Sequence, residues 1–138
     1  LGHLAVFEAQ AAEIVGDRLM LRRALSNLLS NAIRYTPPGE QVVVDIQGDL
    51  HGTTVDVVNT GPSIDAQMIP RLFDRFFRAD KSRKQLDSDG AGLGLSITQA
   101  IVHAHRGRIS VSSADGRTCF SMYFPSAQSI GKHLTTDA

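Results

Sequence analysis

The chain is 138 residues long, 42% hydrophobic and 20% charged, with 14 basic residues balancing 14 acidic ones. This size suits one domain burying about two thirds of its unfolded surface, and the balanced charge leaves no overall field to gather nucleic acid or an acidic membrane. The single Cys119 excludes an internal disulfide and fits a reducing compartment, while no apolar run reaches the ~18 residues of a membrane span.

Leu1 stands where a Met would open a chain, so a longer parent is expected, and no signal-like segment is present. Leu4 to Glu8 and Ala11 to Val15 read as short strands, and Gly16-Asp17 leads into the dominant stretch, LMLRRALSNLLSNAIRYT from Leu19 to Thr36. Asp17 suits its N-cap. At about 100° per residue, Leu21, Leu25, Leu28, Leu29, Ala32 and Ile33 share one broad apolar arc. Asn27, Asn31 and Arg34, with Tyr35 at the edge, share another. Pro37-Pro38-Gly39 stops the helix, because the residue before a proline is pushed out of helical geometry.

Gln41 to Gln47 and Thr53 to Asn59 are β-branched runs joined as a hairpin through Gly48 to Gly52. A short second helix is expected over Asp65 to Phe76, interrupted at Pro70. Ala79 to Ala91 is polar, without apolar periodicity, and reads as a loop. Leu93, Ile97, Ile101 and Ala104 mark a third helix over Leu93 to His105, closed by Arg106 and Gly107. Arg108 to Ser113 and Thr118 to Phe124 form a terminal hairpin around Asp115-Gly116, with Cys119 a small buried hydrophobe rather than a nucleophile. Residues 1–125 form the domain, and the tail 126–138 has little to bury. The fold class is α+β, a mixed, mostly antiparallel sheet with about three helices on one face.

Asn is a poor helix former, so two of them one turn apart need a reason. Carboxamide oxygens at Asn27 and Asn31, followed by the Arg34 cation, can hold a hydrated Mg²⁺ and the phosphates it bridges; a polar face with adventitious Asn fits the same residues. Asn59, closing a strand before Thr60-Gly61, offers an acceptor and donors to a planar ligand edge such as adenine, or forms an Asx turn. Gly90, Gly92 and Gly94 open into a helix whose N–H groups can face phosphate, though a flexible hinge fits too. The G-x-G-x-G spacing lacks the dinucleotide pattern, because Leu95 takes the third glycine's place. Phe73, Phe76 and Phe77 read as packing the hinge of the following loop. Arg78 is either a phosphate contact or a solvated cation, and Lys81, Arg83 and Lys84 are solvated. His103 and His105 lack metal-ligand spacing and read as structural or surface residues.

Taken in this order, the segments resemble the ATP-binding catalytic domain of sensor histidine kinases. NLLSNAIRYT resembles the asparagine box, NTGPSI the first glycine box, RLFDRFFR the phenylalanine box, GAGLGL the second glycine box, and GRTCF the closing Gly-x-Thr-x-Phe segment. The match runs from about Val15 to Pro125. It implies a two-layer α/β sandwich, the Bergerat or histidine-kinase-like ATPase fold, with ATP and Mg²⁺ as cofactors. Asn31 would then ligate Mg²⁺, and Asn27 would ligate it or orient its water. Arg34 would contact phosphate, Tyr35 would lie against the nucleotide, and Arg78 would approach the γ-phosphate. Gly90, Gly92 and Gly94 would let the lid approach the phosphates, Gly61, Ile64, Leu93 and Leu95 would contact the nucleotide within their boxes, and Thr118 would support the adenine position.

The family's first glycine box usually reads Asp-x-Gly-x-Gly, and here Asn59 and Ser63 replace the Asp and the second Gly, which weakens the expected adenine preference. NTGPSI followed by IPRLFDRFFRAD is most similar to the heavy-metal-sensing subgroup. The related ATP-hydrolysing machines carry a Glu where this chain has Asn27, and a carboxamide cannot take a proton from water. The resemblance therefore implies γ-phosphoryl transfer to a histidine on a separate dimerisation domain, feeding a response regulator, in a membrane-anchored homodimeric parent with this domain in the bacterial cytoplasm. None of the five histidines has the acidic helical context of such an acceptor. A slow ATPase and a degenerate nucleotide-binding module are the alternatives.

Overall fold

In the computed structural model of the chain, residues 4–9, 14–74 and 94–126 are described. Strand β1 (Leu4–Ala9) precedes helix α1 (Arg18–Tyr35), strands β2 (Gln41–Gly48) and β3 (Gly52–Thr60), helix α2 (Gly94–Ala104) and strands β4 (Arg108–Ala114) and β5 (Arg117–Pro125). The five strands form one sheet in the order β1-β2-β3-β5-β4. β1 runs parallel to β2, and the other three pairings are antiparallel. Ile14 and Val15 are not in a strand, contrary to expectation; they turn into Gly16 and the start of α1.

Helix α1 begins where Asp17 Oδ1 accepts the Met20 N–H at 3.1 Å, and ends at Thr36, extended at φ −100° and ψ 120° ahead of Pro37. Its buried line is Ala24, Leu28 and Ala32, with Leu21, Leu25 and Leu29 packed beside it. Ile33, expected on the apolar arc, is 44% exposed. α1 packs against both α2 and β3, and this turns its buried line toward Ala24, Leu28 and Ala32 and away from Ile33. In α2 the buried positions are Thr98, Ile101 and Val102, whereas Ala104, expected inside, is exposed.

The second helix expected over Asp65 to Phe76 does not form among the described residues. Backbone bonds from Met68 to Asp65, Arg71 to Met68, Leu72 to Ile69 and Asp74 to Arg71 each span three residues. The result is a run of turns around the 3₁₀ turn Ile69–Arg71, because Pro70 has no N–H to give an α-helical ladder. Leu72 is nevertheless buried, and Phe73 meets the Phe120 ring edge-to-face at 6.4 Å, so Phe73 packs into the core.

The sheet register explains why the site lies at one end. Val44, Val57, Phe120 and Val111 stand side by side across β2, β3, β5 and β4, a continuous apolar row under the helices. Two residues along, the row reads Val42, Asn59, Thr118 and Ser113. The apolar layer gives way to polar side chains there.

The helix ends are locked to one another on the opposite side. The Arg106 N–H bonds the His103 carbonyl and the Gly107 N–H the Val102 carbonyl, so α2 closes with Arg106 in the left-handed region at φ 64°. Next to it His105 accepts the Asp17 backbone N–H on Nε2 at 3.0 Å and donates from Nδ1 to the Ile101 carbonyl at 2.7 Å. His105 is therefore structural: it ties the end of α2 to the cap of α1.

Candidate functional site

Asn27, Asn31, Arg34 and Tyr35 lie half-buried along one flank of α1, bordering its core line. Asn27 and Asn31 are one turn apart, which puts their Cβ atoms about 5–6 Å from each other. The Asn27 amide donates from Nδ2 to the Gly94 carbonyl at 3.3 Å, and the Thr98 hydroxyl donates to the same carbonyl at 2.9 Å. This anchors the first residue of α2 against α1 and leaves Asn27 Oδ1 to accept or ligate. No described residue hydrogen-bonds the Asn31 carboxamide. The Arg34 guanidinium lies 6.0 Å from the centre of the Tyr35 ring, a cation-π contact.

The floor is the polar row. Asn59 is 6% exposed and Thr118 3%, directly opposite each other on β3 and β5. Thr118 and Ser113 share a 2.6 Å hydrogen bond between hydroxyls, and Ser113 Oγ accepts the Ile64 N–H at 2.8 Å. Gly61, at φ 138°, donates its N–H to the Gly116 carbonyl at 2.9 Å. A Cβ on Gly61 would sit 2.9 Å from Pro37 Cδ, so both the conformation and the fit against the end of α1 call for glycine. Ser63 Oγ accepts the Gly116 N–H at 3.0 Å. The side chain replacing the family's second glycine thus pins the loop to the β4–β5 turn.

The structure brings together Asn27, Asn31, Arg34 and Tyr35 on α1, Gly94 and Leu95 at the start of α2, and Asn59, Gly61, Ile64 and Thr118 at the sheet end. Arg78, Gly90, Gly92 and Leu93 lie outside the described residues, as do Phe76 and Phe77. Ser113 was not expected in the site. The hairpin register carried the signal: a two-residue turn at Asp115-Gly116 places Ala114 opposite Arg117 and Ser113 opposite Thr118.

Among the described residues no group of three or more His, Cys, Asp or Glu side chains could hold a metal. The donor set fits Mg²⁺ differently. Mg²⁺ takes oxygen ligands, keeps several waters and is commonly bound through substrate phosphates. Asn27 Oδ1 and the Asn31 carboxamide supply neutral oxygens, so most of the charge compensation would come from a nucleotide. The N–H groups opening α2 face the same end and favour negative charge.

The family described as "Histidine kinase-, DNA gyrase B-, and HSP90-like ATPase" matches residues 16–128. The sensor histidine kinase CusS of Escherichia coli (strain K12) is 50% identical over 119 residues, 86% of this chain and 25% of CusS. Among solved structures, the mycobacterial sensor histidine kinase MprB aligns at a TM-score of 0.78 with 31% identity, covering 89% of this chain and 83% of that one. Full-length ShkA in complex with AMPPNP aligns at 0.73 with 26% identity, over 90% of this chain and 26% of that one. The chain spans about a quarter of the length of the curated relatives it matches.

Proposed function

The chain is a catalytic domain of the sensor histidine kinase family, within the histidine kinase-, DNA gyrase B- and HSP90-like ATPases, and from this premise we propose that it binds Mg-ATP between α1, the start of α2 and the polar row. It hands the γ-phosphoryl group to a histidine on a separate dimerisation domain, which passes it to a response regulator. The observation that carries this reading is the Asn27–Gly94 bond, which sets a carboxamide pair beside the opening of a helix. The structure of ShkA with AMPPNP supports nucleotide as the ligand.

When bound, Mg²⁺ would neutralise phosphate charge, held by Asn31 and by Asn27 directly or through water. Arg34 and Arg78 add positive charge toward the phosphates, while Asn59, Thr118, Ile64 and Tyr35 receive the base. Gly90, Gly92 and Leu93 complete the phosphate side with Gly94 and Leu95. No carboxylate occupies position 27, so water lacks a base, a contribution worth about 10²–10⁴-fold. An imidazole brings its own lone pair: its nitrogen bonds to the γ-phosphorus as the bond to the ADP oxygen breaks. Positioning and charge neutralisation suffice for that step.

Residues 1–125 form the catalytic unit. The parent is a membrane-anchored homodimer with this domain in the cytoplasm; among the described residues no helix is long and apolar enough to cross a membrane. NTGPSI, IPRLFDRFFRAD and the half-identity to CusS support a role in heavy-metal response.

The test is a thermal-shift titration with ATP and ADP, with and without Mg²⁺. Ligand at a hundred times its Kd stabilises the native state by about 2.7 kcal/mol, and Asn31→Ala is expected to abolish the Mg²⁺ dependence. A chain indifferent to magnesium nucleotide would falsify the proposal.

A further inference from the structure

The polar row contains one group whose orientation its surroundings do not set. Asn59 is 6% exposed, and no described residue hydrogen-bonds its carboxamide. Its neighbours are fixed: Thr118 is bonded to Ser113, and Ser113 to the Ile64 N–H. A carboxamide with no protein partner is free to turn toward whatever ligand edge reaches it. In the site as read above, the base edge is what completes it.

Resting on that nucleotide reading, we propose that Asn59 makes the site indifferent to the purine 6-substituent, so that 6-oxo nucleotides, the triphosphates of inosine and guanosine, are bound alongside ATP. Adenine presents a 6-amino donor beside the N1 acceptor. Hypoxanthine and guanine present the reverse, a 6-oxo acceptor beside an N1–H donor. A carboxamide carries one acceptor and two donors. With Oδ1 over the 6-position and Nδ2 over N1 it completes adenine; turned by 180° it completes the 6-oxo bases, and no described bond opposes the turn. A carboxylate here could only accept, and would set an unpaired charge against a 6-oxo group, the kind of mismatch by which polar sites reject a wrong ligand. Thr118 and Ser113 add no bias, since either hydroxyl can donate or accept.

The test titrates the 138-residue chain with the magnesium salts of ATP, ITP and GTP by calorimetry, and repeats the series with Asn59→Asp. The wild-type Kd for ITP is expected within about tenfold of that for ATP, and Asn59→Asp is expected to widen the ratio by about tenfold or more. ITP weaker than ATP by more than that in the wild-type chain overturns the proposal, as does a ratio that Asn59→Asp leaves unchanged. GTP adds a reading at the 2-position: binding like ITP supports its inclusion, and rejection while ITP binds removes guanosine from the ligand class. Failure of all three nucleotides overturns the nucleotide reading itself. The wild-type comparison stands even if the buried carboxylate prevents folding.

Discussion

Asn27 gives its amide hydrogen to Gly94 and keeps its oxygen for a ligand, a division that neither Glu nor Asp can make. Asn27→Asp is expected to lower stability by about 1 kcal/mol through the lost bond and to loosen the start of α2. Urea unfolding measures the first effect, and a weaker Mg-ATP titration the second. Two titrating groups away from the site are shifted from their ordinary values. Backbone N–H groups of His51 and Gly52 hold the Asp49 carboxyl below its usual value, so its contribution is present above the ordinary carboxylate range near ~3.9 and is lost as pH falls through the lower folded value. Burial, then the Asp56 charge, pushes the Cys119 thiol up. Its contribution is complete below the unfolded thiol range near ~8.5 and is lost as pH rises through the higher folded value. Cys119 is therefore expected to react slowly with a disulfide reagent at neutral pH and readily only after unfolding; fast labelling of the native chain would contradict this. Behind the core, Asp45 and Asp56 stand opposite each other on β2 and β3, and Asp56 Oδ1 is buried with no described partner. Like charges so placed destabilise a sheet.

The join between α1 and α2 depends on how closely Gly16 approaches His105. A Cβ on Gly16 would lie 2.1 Å from the His105 ring, so Gly16→Ala must displace the imidazole, which also meets Phe124 edge-to-face at 6.3 Å. The expected loss is about 1–3 kcal/mol in thermal unfolding, with nucleotide affinity per folded molecule unchanged, because this join lies away from the site. Local signals did reveal much at this scale. Asp17 caps α1, Thr36 before Pro37 ends it, and both hairpins fall within a residue or so of the β-branched runs. The apolar arc was less legible at its edges, since Ile33 and Ala104 face outward for reasons set by how two helices meet over a sheet. Pro70 and a chain of turns replaced a helix that the residues around it suggested. Of the candidate site, the placement of Asn27 and Asn31 one turn apart on α1 and the turn after β3 were readable from residue type and spacing. Ser113 and the Asn27–Gly94 bond were not, because each depends on residues brought together only by the fold.

As a whole, the proposed function makes the domain the donor in a phosphoryl transfer and puts the expected acceptor histidine on another segment. The chain incubated with radiolabelled ATP is expected to label itself weakly, and to label strongly a dimerisation domain containing the preceding helical hairpin; strong labelling of its own histidines would sink this. The sheet order adds a constraint that pairing rules for neighbouring strands could not supply. Among the described residues β5 follows every other strand in sequence, yet it lies inside the sheet between β3 and β4, paired with β3 from Gly52↔Pro125 to Thr60↔Arg117. During synthesis, the edge of β3 waits unpaired until β5 leaves the ribosome, and such long-range pairing is slow to form. A chain ending at Gly116 is expected to aggregate through that open edge, as sedimentation would show. Phe120, Met122, Phe124 and Thr118 all arrive on that strand, so the newborn domain closes its core and completes the floor of the candidate site in one late event.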